Sequence, residues 1–152
     1  MARKVEPRPA ASIPVEATRH TGERGVTVKT TTADTQWPPR RHGLPLNDAA
    51  QRWLPAVKRR LVERFAPERI VLFGSQVEGN ARWDSDLDLL IVLTAIDDPQ
   101  ATRLAIRRAL RDIPMPKDIF VTTPEQASRF GPITGTVLYP ALHDGATIYV
   151  RR

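Results

Sequence analysis

The sequence predicts an α/β (α+β) fold in which a small mixed β-sheet is flanked by helices. Short apolar runs that end at polar turns are typical of buried strands. Longer segments with apolar residues at steps of three and four are typical of helices that bury one face. Along the chain these segments follow the order helix, strand, strand, helix, strand, then two short helices and a last strand.

The first helix begins near Asn47, where apolar residues start to recur at helical spacing. Asn47 or Asp48 can cap it, because their side chains accept a hydrogen bond from the first turn. Pro55 lacks a backbone N–H, so we expect either a kink or two helices, the first ending near Trp53 and the second having Pro55 in its first turn. The apolar stripe consists of Trp53, Leu54, Val57, Leu61, Val62 and Phe65.

The remaining elements follow from the same patterns. β-favouring apolar runs predict strands, and a segment with Ala and Leu at helical spacing between the second and third runs predicts a helix. The predicted strands are 69–73, 87–93, 119–123 and 147–150, and the predicted later helices are 99–113, 124–130 and about 134–143.

Composition divides the chain of 152 residues into two parts. Residues 1–46 are rich in Pro and Thr and carry +4 of the net charge of +6. Because they contain only short apolar stretches, they bury too little surface to offset the entropy of ordering. We therefore predict a disordered basic tail over 1–46 and one domain over 47–152. A partner-binding or nucleic-acid-binding arm is the alternative for the tail, and direct nucleic-acid binding is the less favoured one.

Several classes of function are excluded by composition. The chain has no Cys, so it forms no disulfide, thiolate nucleophile or zinc–thiolate centre, and its three His are scattered. Any metal must be held by oxygen. The chain has no apolar run of about 20 residues, and its start lacks the apolar stretch of a signal peptide. We expect a cytoplasmic protein.

Carboxylates at the start of two predicted strands point to a metal. Asp86 and Asp88 are two residues apart at the mouth of a strand, so both face the same side of the sheet. Carboxylates so close repel each other unless a cation compensates, and Mg²⁺ prefers oxygen ligands. Asp118 starts another strand and can supply a third ligand if the two strands pair. Three such carboxylates can hold two metal ions.

A small turn after the first strand points to phosphate. Gly74, Ser75 and Gly79 leave room for backbone N–H groups to approach phosphate oxygens. The Ser75 hydroxyl adds a donor. Each of these signals alone is also typical of an ordinary turn.

The joint spacing resembles the nucleotidyltransferases of the DNA polymerase β superfamily, especially the minimal nucleotidyltransferases. It comprises Gly74-Ser75, Gly79, the segment 85–88 and Asp118. The resemblance covers about 47–152 and implies the nucleotidyltransferase fold. It also implies that Gly74, Ser75, Gly79 and Ser85 bind nucleotide, and that Asp86, Asp88 and Asp118 are catalytic metal ligands, Asp118 also being base-like.

The same resemblance implies a reaction and a partner. A hydroxyl attacks the α-phosphate of ATP or another nucleoside triphosphate, pyrophosphate leaves, and Mg²⁺ (two ions) assists. Minimal nucleotidyltransferases often act as antitoxins of HEPN-domain toxins, some by AMPylation of the toxin, so a HEPN-domain protein is the expected partner. Two alternatives stay open: a small-molecule nucleotidyltransferase similar to those that modify aminoglycosides, acting as a dimer, and a catalytically silenced binding antitoxin. Either a homo- or a hetero-oligomer is compatible with the sequence.

One departure from the family pattern bears on activity. The family usually places basic residues after Gly-Ser, whereas this chain has Gln76, Val77 and Glu78. Glu78 brings a negative charge towards the expected phosphate site, where Arg82 can compensate. Trp83 is interpreted either as a stacking partner for a nucleobase or as a hydrophobic residue at the rim of the site.

Overall fold

A computed structural model of the protein describes residues 35–152, which form five helices and a four-stranded sheet. The sheet has the strand order β3-β2-β1-β4 and contains both parallel and antiparallel pairs, so the predicted mixed α/β architecture is confirmed. The elements are α1 (Asp48–Phe65), β1 (Arg69–Phe73), α2 (Ser75–Glu78), β2 (Leu87–Val92), α3 (Pro99–Ala109), β3 (Lys117–Thr122), α4 (Pro124–Phe130), α5 (Leu138–Asp144) and β4 (Ala146–Val150).

The first helix is capped as predicted but is not divided. The Asn47 side chain accepts a hydrogen bond from the backbone N–H of Ala50. Pro55 lies inside one continuous helix from Asp48 to Phe65, so the expectation of two helices is wrong. The exposed position of Pro55 and the burial of Leu54 and Val57 beside it explain the continuity, because the apolar face stays in contact with the sheet on both sides of the proline.

The pairing of the strands places the predicted acidic residues at one end of the sheet. β1 runs antiparallel to β2, with Phe73 opposite Asp88. β2 runs parallel to β3, with Asp88 beside Asp118. Because paired residues in neighbouring strands share a face, Phe73, Asp88 and Asp118 form one row across the sheet.

Helices cover both faces of the sheet. On one face, α1 and α3 pack over an apolar cluster that includes Leu61, Leu72 and Leu89. On the other face, α4 and α5 pack over a smaller cluster that includes Val71 and Leu90. The row with Asp88 belongs to this second face, because residues two apart along a strand point the same way and Leu90 is in the second cluster.

The segment before α1 lies against the domain, which differs from the prediction of a disordered tail as far as residue 46. Thr147 of β4 donates from its backbone N–H to the Pro39 carbonyl at 3.0 Å and from its hydroxyl to the Pro38 carbonyl. The Trp37 ring packs against the second cluster and lies under the Arg69 guanidinium, 4.8 Å away. Contacts with β4 and one aromatic ring thus offset the poor apolar content of the segment. The rest of the predicted tail, residues 1–34, lies outside the described residues.

Smaller differences concern the short helices. The turn after β1 is a one-turn helix, α2, and the last helix begins at Leu138 rather than near Thr134. The predicted helix over 124–130 is confirmed, with a Thr123–Gln126 capping box. Within residues 35–152, none of the helices combines the length and apolar composition that a membrane-spanning segment needs.

Candidate active site

Asp88 is the centre of the candidate site. Its side chain lies in the second position of β2, between Phe73 of β1 and Asp118 of β3. Phe73 and Phe120 lie on the same face with ring centroids 5.7 Å apart. The Asp88 side chain is half-buried, with Phe73 beside it on β1 and Asp118 beside it on β3.

The surroundings of Asp88 raise the pKa of its carboxyl group. The pKa of Asp88 is raised from 3.8 to about 6, most of all by burial and then by the negative charges of Asp118, Asp86 and Glu78, in that order. Burial acts by removing water from the charged form, and like charges act by repulsion. Asp86 and Asp118 thus lie close enough to Asp88 to interact with it. The pairing of β2 with β3, on which the prediction for Asp118 depended, brings Asp118 there.

The three carboxylates do not form a closed ligand set in the described structure. Asp86 precedes β2 and is exposed, and Asp118 is exposed on β3. Within residues 35–152, no group of three or more His, Asp or Glu side chains is arranged so that it could hold a metal ion. The donors nevertheless suit Mg²⁺ chemically, because this ion is commonly held by one or two carboxylates together with substrate phosphates, and because mutual repulsion around Asp88 favours a cation.

Gly74 lies directly against Asp88. Its φ of 74° is in a region that L-residues with side chains rarely adopt, and a Cβ there would be 2.3 Å from Asp88 Oδ2. Only glycine therefore allows the backbone to pass so close to this carboxylate. The turn that was predicted to contact phosphate and the carboxylates that were predicted to hold metal are neighbours in space.

The other glycine and the first serine define α2. Ser75 is the first residue of this one-turn helix, and Gly79 ends it in a left-handed conformation with φ 86°. The backbone N–H groups of Val77 and Glu78 donate to the Gly74 carbonyl. Ser75 is half-buried and directly follows Gly74, which contacts Asp88, so Ser75 lies near Asp88. Gly79 lies at the other end of α2, near Pro45.

Gln76 is a site residue whose position the sequence did not reveal. It is 0% exposed, so its side chain points into the domain rather than towards solvent. Its Oε1 accepts from the backbone N–H of Asn47 at 3.0 Å, and its Nε2 donates to the Ser85 carbonyl at 3.3 Å. Gln76 thus joins α2 to the start of α1 and to the loop before Asp86. A polar residue inside an otherwise small turn was the only signal in the sequence.

Ser85 makes hydrogen bonds within the loop that precedes β2. Its hydroxyl accepts from the backbone N–H of Arg82 at 2.7 Å, and its own N–H donates to the Arg82 carbonyl at 3.1 Å. The Asn47 side chain donates to the same Arg82 carbonyl at 2.7 Å. These bonds hold Ser85 in a turn that immediately precedes Asp86. The Ser85 hydroxyl accepts in this turn and can still donate its own proton, so its contact with nucleotide stays a prediction.

A large cavity of residues 35–152 lies away from these carboxylates. It is a groove of about 1060 Å³ at the opposite end of the sheet, lined by residues that include Trp37, Arg69 and Arg129. None of the three acidic site residues lines it. We identify the candidate site by its carboxylates rather than by cavity size, since the groove lacks comparable chemistry.

The sequence and the fold of the chain are similar to those of known proteins. The family model described as "Polymerase beta, Nucleotidyltransferase" matches residues 56–149, which include Gly74, Asp86, Asp88 and Asp118. A crystal structure of a candidate nucleotidyltransferase from Sulfolobus solfataricus is similar over 72% of this chain and 91% of its own, with 20% identity and a TM-score of 0.49. A search of curated proteins finds no significant match.

Proposed function

The chain belongs to the polymerase β nucleotidyltransferase family, and on that premise we propose that it transfers a nucleoside monophosphate, AMP from ATP, to a hydroxyl of a partner protein. The proposed partner is a HEPN-domain toxin, whose antitoxin this protein would be. Nucleotidyl transfer follows from the family, whereas the nucleotide, the metal and the partner are the proposed part.

The observation that supports the proposal is the position of Asp88. It lies between Asp118 and Phe73, within electrostatic reach of Asp86 and in contact range of Gly74. Transfer at phosphorus depends on positioning and on neutralising charge more than on covalent catalysis. The turn without side-chain bulk suits close positioning of a phosphate, and the carboxylates would hold the Mg²⁺ that neutralises its charge.

The residues have distinct roles in the proposed step. Gly74 lets the backbone and Ser75 approach the triphosphate, and Asp86 and Asp88 would hold Mg²⁺, which neutralises phosphate charge when bound. The acceptor oxygen attacks the α-phosphorus, the bond from that phosphorus to the bridging oxygen of the β-phosphate breaks, and pyrophosphate leaves. Asp118 receives the proton of the acceptor hydroxyl.

Exposure of the site favours a macromolecular acceptor. Asp86 and Asp118 are exposed, and the large groove of the described residues is at the other end of the sheet. A site without its own enclosure excludes water when a partner surface covers it. We therefore prefer a protein acceptor to a small molecule.

The experiment that tests the proposal is label transfer. The full chain is incubated with Mg²⁺ and each α-labelled nucleoside triphosphate, alone, with a HEPN-domain protein encoded beside it, and with aminoglycosides. We expect label on the partner protein, from ATP in preference to the others, and at least a hundredfold loss in Asp86→Asn and Asp88→Asn.

A matched control is Asp97→Asn, which makes the same change at an exposed aspartate in the loop between β2 and α3. It should transfer label at the wild-type rate. Transfer that survives in both Asp86→Asn and Asp88→Asn would refute the metal assignment. Label on an aminoglycoside without any partner would instead establish the small-molecule alternative.

A silenced antitoxin is the second candidate, and Glu78 favours it. This side chain is among the negative charges that raise the pKa of Asp88, so it lies where it opposes a triphosphate. In that case the protein would bind and inhibit the toxin without ATP or metal. Glu78→Lys would then produce transfer that the wild-type chain lacks.

A further inference from the structure

Trp83 is the most exposed large hydrophobic side chain of residues 35–152, with 84% of its surface accessible. It lies in the loop between α2 and β2, three residues before Asp86. We infer that Trp83 is the stacking platform for the base of the nucleotide whose phosphates lie at Gly74 and the carboxylates. This inference rests on the proposed nucleotidyl transfer and adds the base-binding residue to it.

The indole is presented by a turn that is held in place. Arg82 and Ser85 close the turn through the two hydrogen bonds described above, and Trp83 lies between them. Two side chains outside the turn also donate hydrogen bonds to it. The Asn47 side chain donates to the Arg82 carbonyl, and the buried Gln76 amide donates to the Ser85 carbonyl. Because the backbone of the turn is already ordered, stacking of a ligand on the exposed indole does not require the loop to be ordered first.

The reach from the turn to the carboxylates suits a nucleotide. Three residues span at most about 11 Å of chain, so the Trp83 backbone lies within that distance of the Asp86 backbone. This is comparable to the length of a nucleoside monophosphate. A base on Trp83 and an α-phosphate at Asp86 and Asp88 are thus compatible with one bound molecule.

The surroundings of Trp83 fit a base better than a protein partner. Its neighbours Arg82 and Asp84 are exposed and charged, with Arg82 Nε 3.8 Å from Asp84 Oδ1. The core of a protein interface usually groups several apolar side chains. The other exposed large hydrophobics of the described residues lie in α3, at the end of α4 and between α4 and α5, and they are Leu104, Phe130, Ile133 and Val137. The exposed indole of Trp83, with charged side chains beside it, suits a nucleobase, which is a flat ring with polar groups at its edge.

The test compares ATP with inorganic tripolyphosphate, which has the phosphates but no base. Binding of each to the full chain is measured by calorimetry in Mg²⁺ for wild type, Trp83→Ala and Trp83→Phe. We expect Trp83→Ala to weaken ATP binding about tenfold and to leave tripolyphosphate binding unchanged. Trp83→Phe should retain affinity for ATP within about threefold, because it keeps an aromatic face.

Leu104→Ala is the matched control, since it removes an exposed apolar side chain from α3, and it should bind both probes like wild type. Equal ATP affinity in wild type and Trp83→Ala would overturn the inference, as would an equal loss for both probes. Unchanged ATP affinity with reduced label transfer to a HEPN-domain protein would assign Trp83 to the acceptor instead, and would also overturn it.

Failure of the proposed function has a different signature. A wild-type chain that binds ATP through Trp83 but labels no acceptor would refute the transfer and retain the platform. A wild-type chain that binds neither probe would overturn both.

Discussion

The two faces of the sheet are covered very differently. On one face, helices of 18 and 11 residues, α1 and α3, bury the larger apolar cluster. On the other, α4 and α5 have seven residues each and bury a smaller cluster. The carboxylates lie at the end of this second face, where Asp88 is half-buried and Asp86 and Asp118 are exposed. The comparison indicates that stability comes mainly from the first face, so that the second can keep repelling charges near solvent.

The largest effect should come from truncating the core of the first face. Leu61→Ala removes a fully buried side chain of α1 and should lower the free energy of unfolding by about 4 kcal/mol. Leu142→Ala, on α5, should cost about 2 kcal/mol, because this residue lies nearer the surface of a smaller cluster. Urea unfolding measures both. Equal costs would contradict the division of stability between the faces.

The next largest loss of stability should come from removing the buried Gln76 amide, which joins α2 to the start of α1 and to the loop before Asp86. Gln76→Leu leaves the Asn47 N–H and the Ser85 carbonyl without their side-chain partner and should cost about 2 to 3 kcal/mol. Gln51→Leu is the matched control, since Gln51 makes an exposed bond to the Leu46 carbonyl, and it should cost about 0.5 kcal/mol. A Gln76→Leu protein as stable as wild type would show that the loop is not held by this amide.

Gly74→Ala tests the close contact beneath the site. Its positive φ and the approach to Asp88 Oδ2 should together cost about 2 kcal/mol and reduce label transfer, because Asp88 must move. Gly43→Ala is the matched control, because Gly43 has a similar φ of 65° and a Cβ added there would meet open space. It should cost about 1 kcal/mol from backbone strain and leave transfer unchanged. If the two variants transfer label equally, the contact with Asp88 has no functional role.

The smallest expected effect is the pH dependence that arises from Asp88. Its pKa of about 6 in the folded protein lies above the ordinary 3.8, so protonation favours the folded state. This contribution is present in full below about pH 4 and is lost as the pH rises through about 6. Asp88→Asn imitates the protonated form, so in metal-free solution it should exceed wild type in stability by about 1 to 2 kcal/mol at pH 8, after allowance for solvent screening of a half-exposed group.

Thermal unfolding between pH 4 and pH 8 measures this difference. The gap between the two proteins should close towards pH 4. Added Mg²⁺ at pH 8 should stabilise wild type and have little effect on Asp88→Asn, because a bound cation relieves the repulsion only where the carboxylate is present. A gap independent of pH would contradict the electrostatic account of Asp88.

Much of the fold was predictable because local patterns agreed with it. β1 was predicted at its observed bounds, since an apolar run between Pro67 and Gly74 has few alternatives. Asn47 or Asp48 was predicted to cap α1, and Asn47 does so. Asp86 and Asp88 were predicted to share a face, and the charge of Asp86, which precedes β2, contributes to the raised pKa of Asp88. The membership of the family followed from the same spacing and agrees with the match over residues 56–149.

Other features depended on contacts between distant residues. The continuity of α1 through Pro55, the attachment of residues 37–40 to Thr147, and the burial of Gln76 were not predictable from local composition. In each case a long-range contact outweighs a local preference. Ser85 shows why a motif position alone does not define a residue's contacts. A serine at this position is compatible with binding phosphate and with closing a turn, and the structure shows that its hydroxyl accepts a hydrogen bond within the turn.

The sequence by itself determined which chemical groups are present and which of them lie on one side of a strand, because the period of two along β2 is a local property of the backbone. Only the tertiary structure decided that Asp118 lies beside Asp88 and that Gly74 touches it, since the parallel pairing of β2 with β3 and the antiparallel pairing with β1 join residues far apart in the chain. The raised pKa of Asp88 follows from those pairings. Burial and repulsion depend on distances that no local pattern contains.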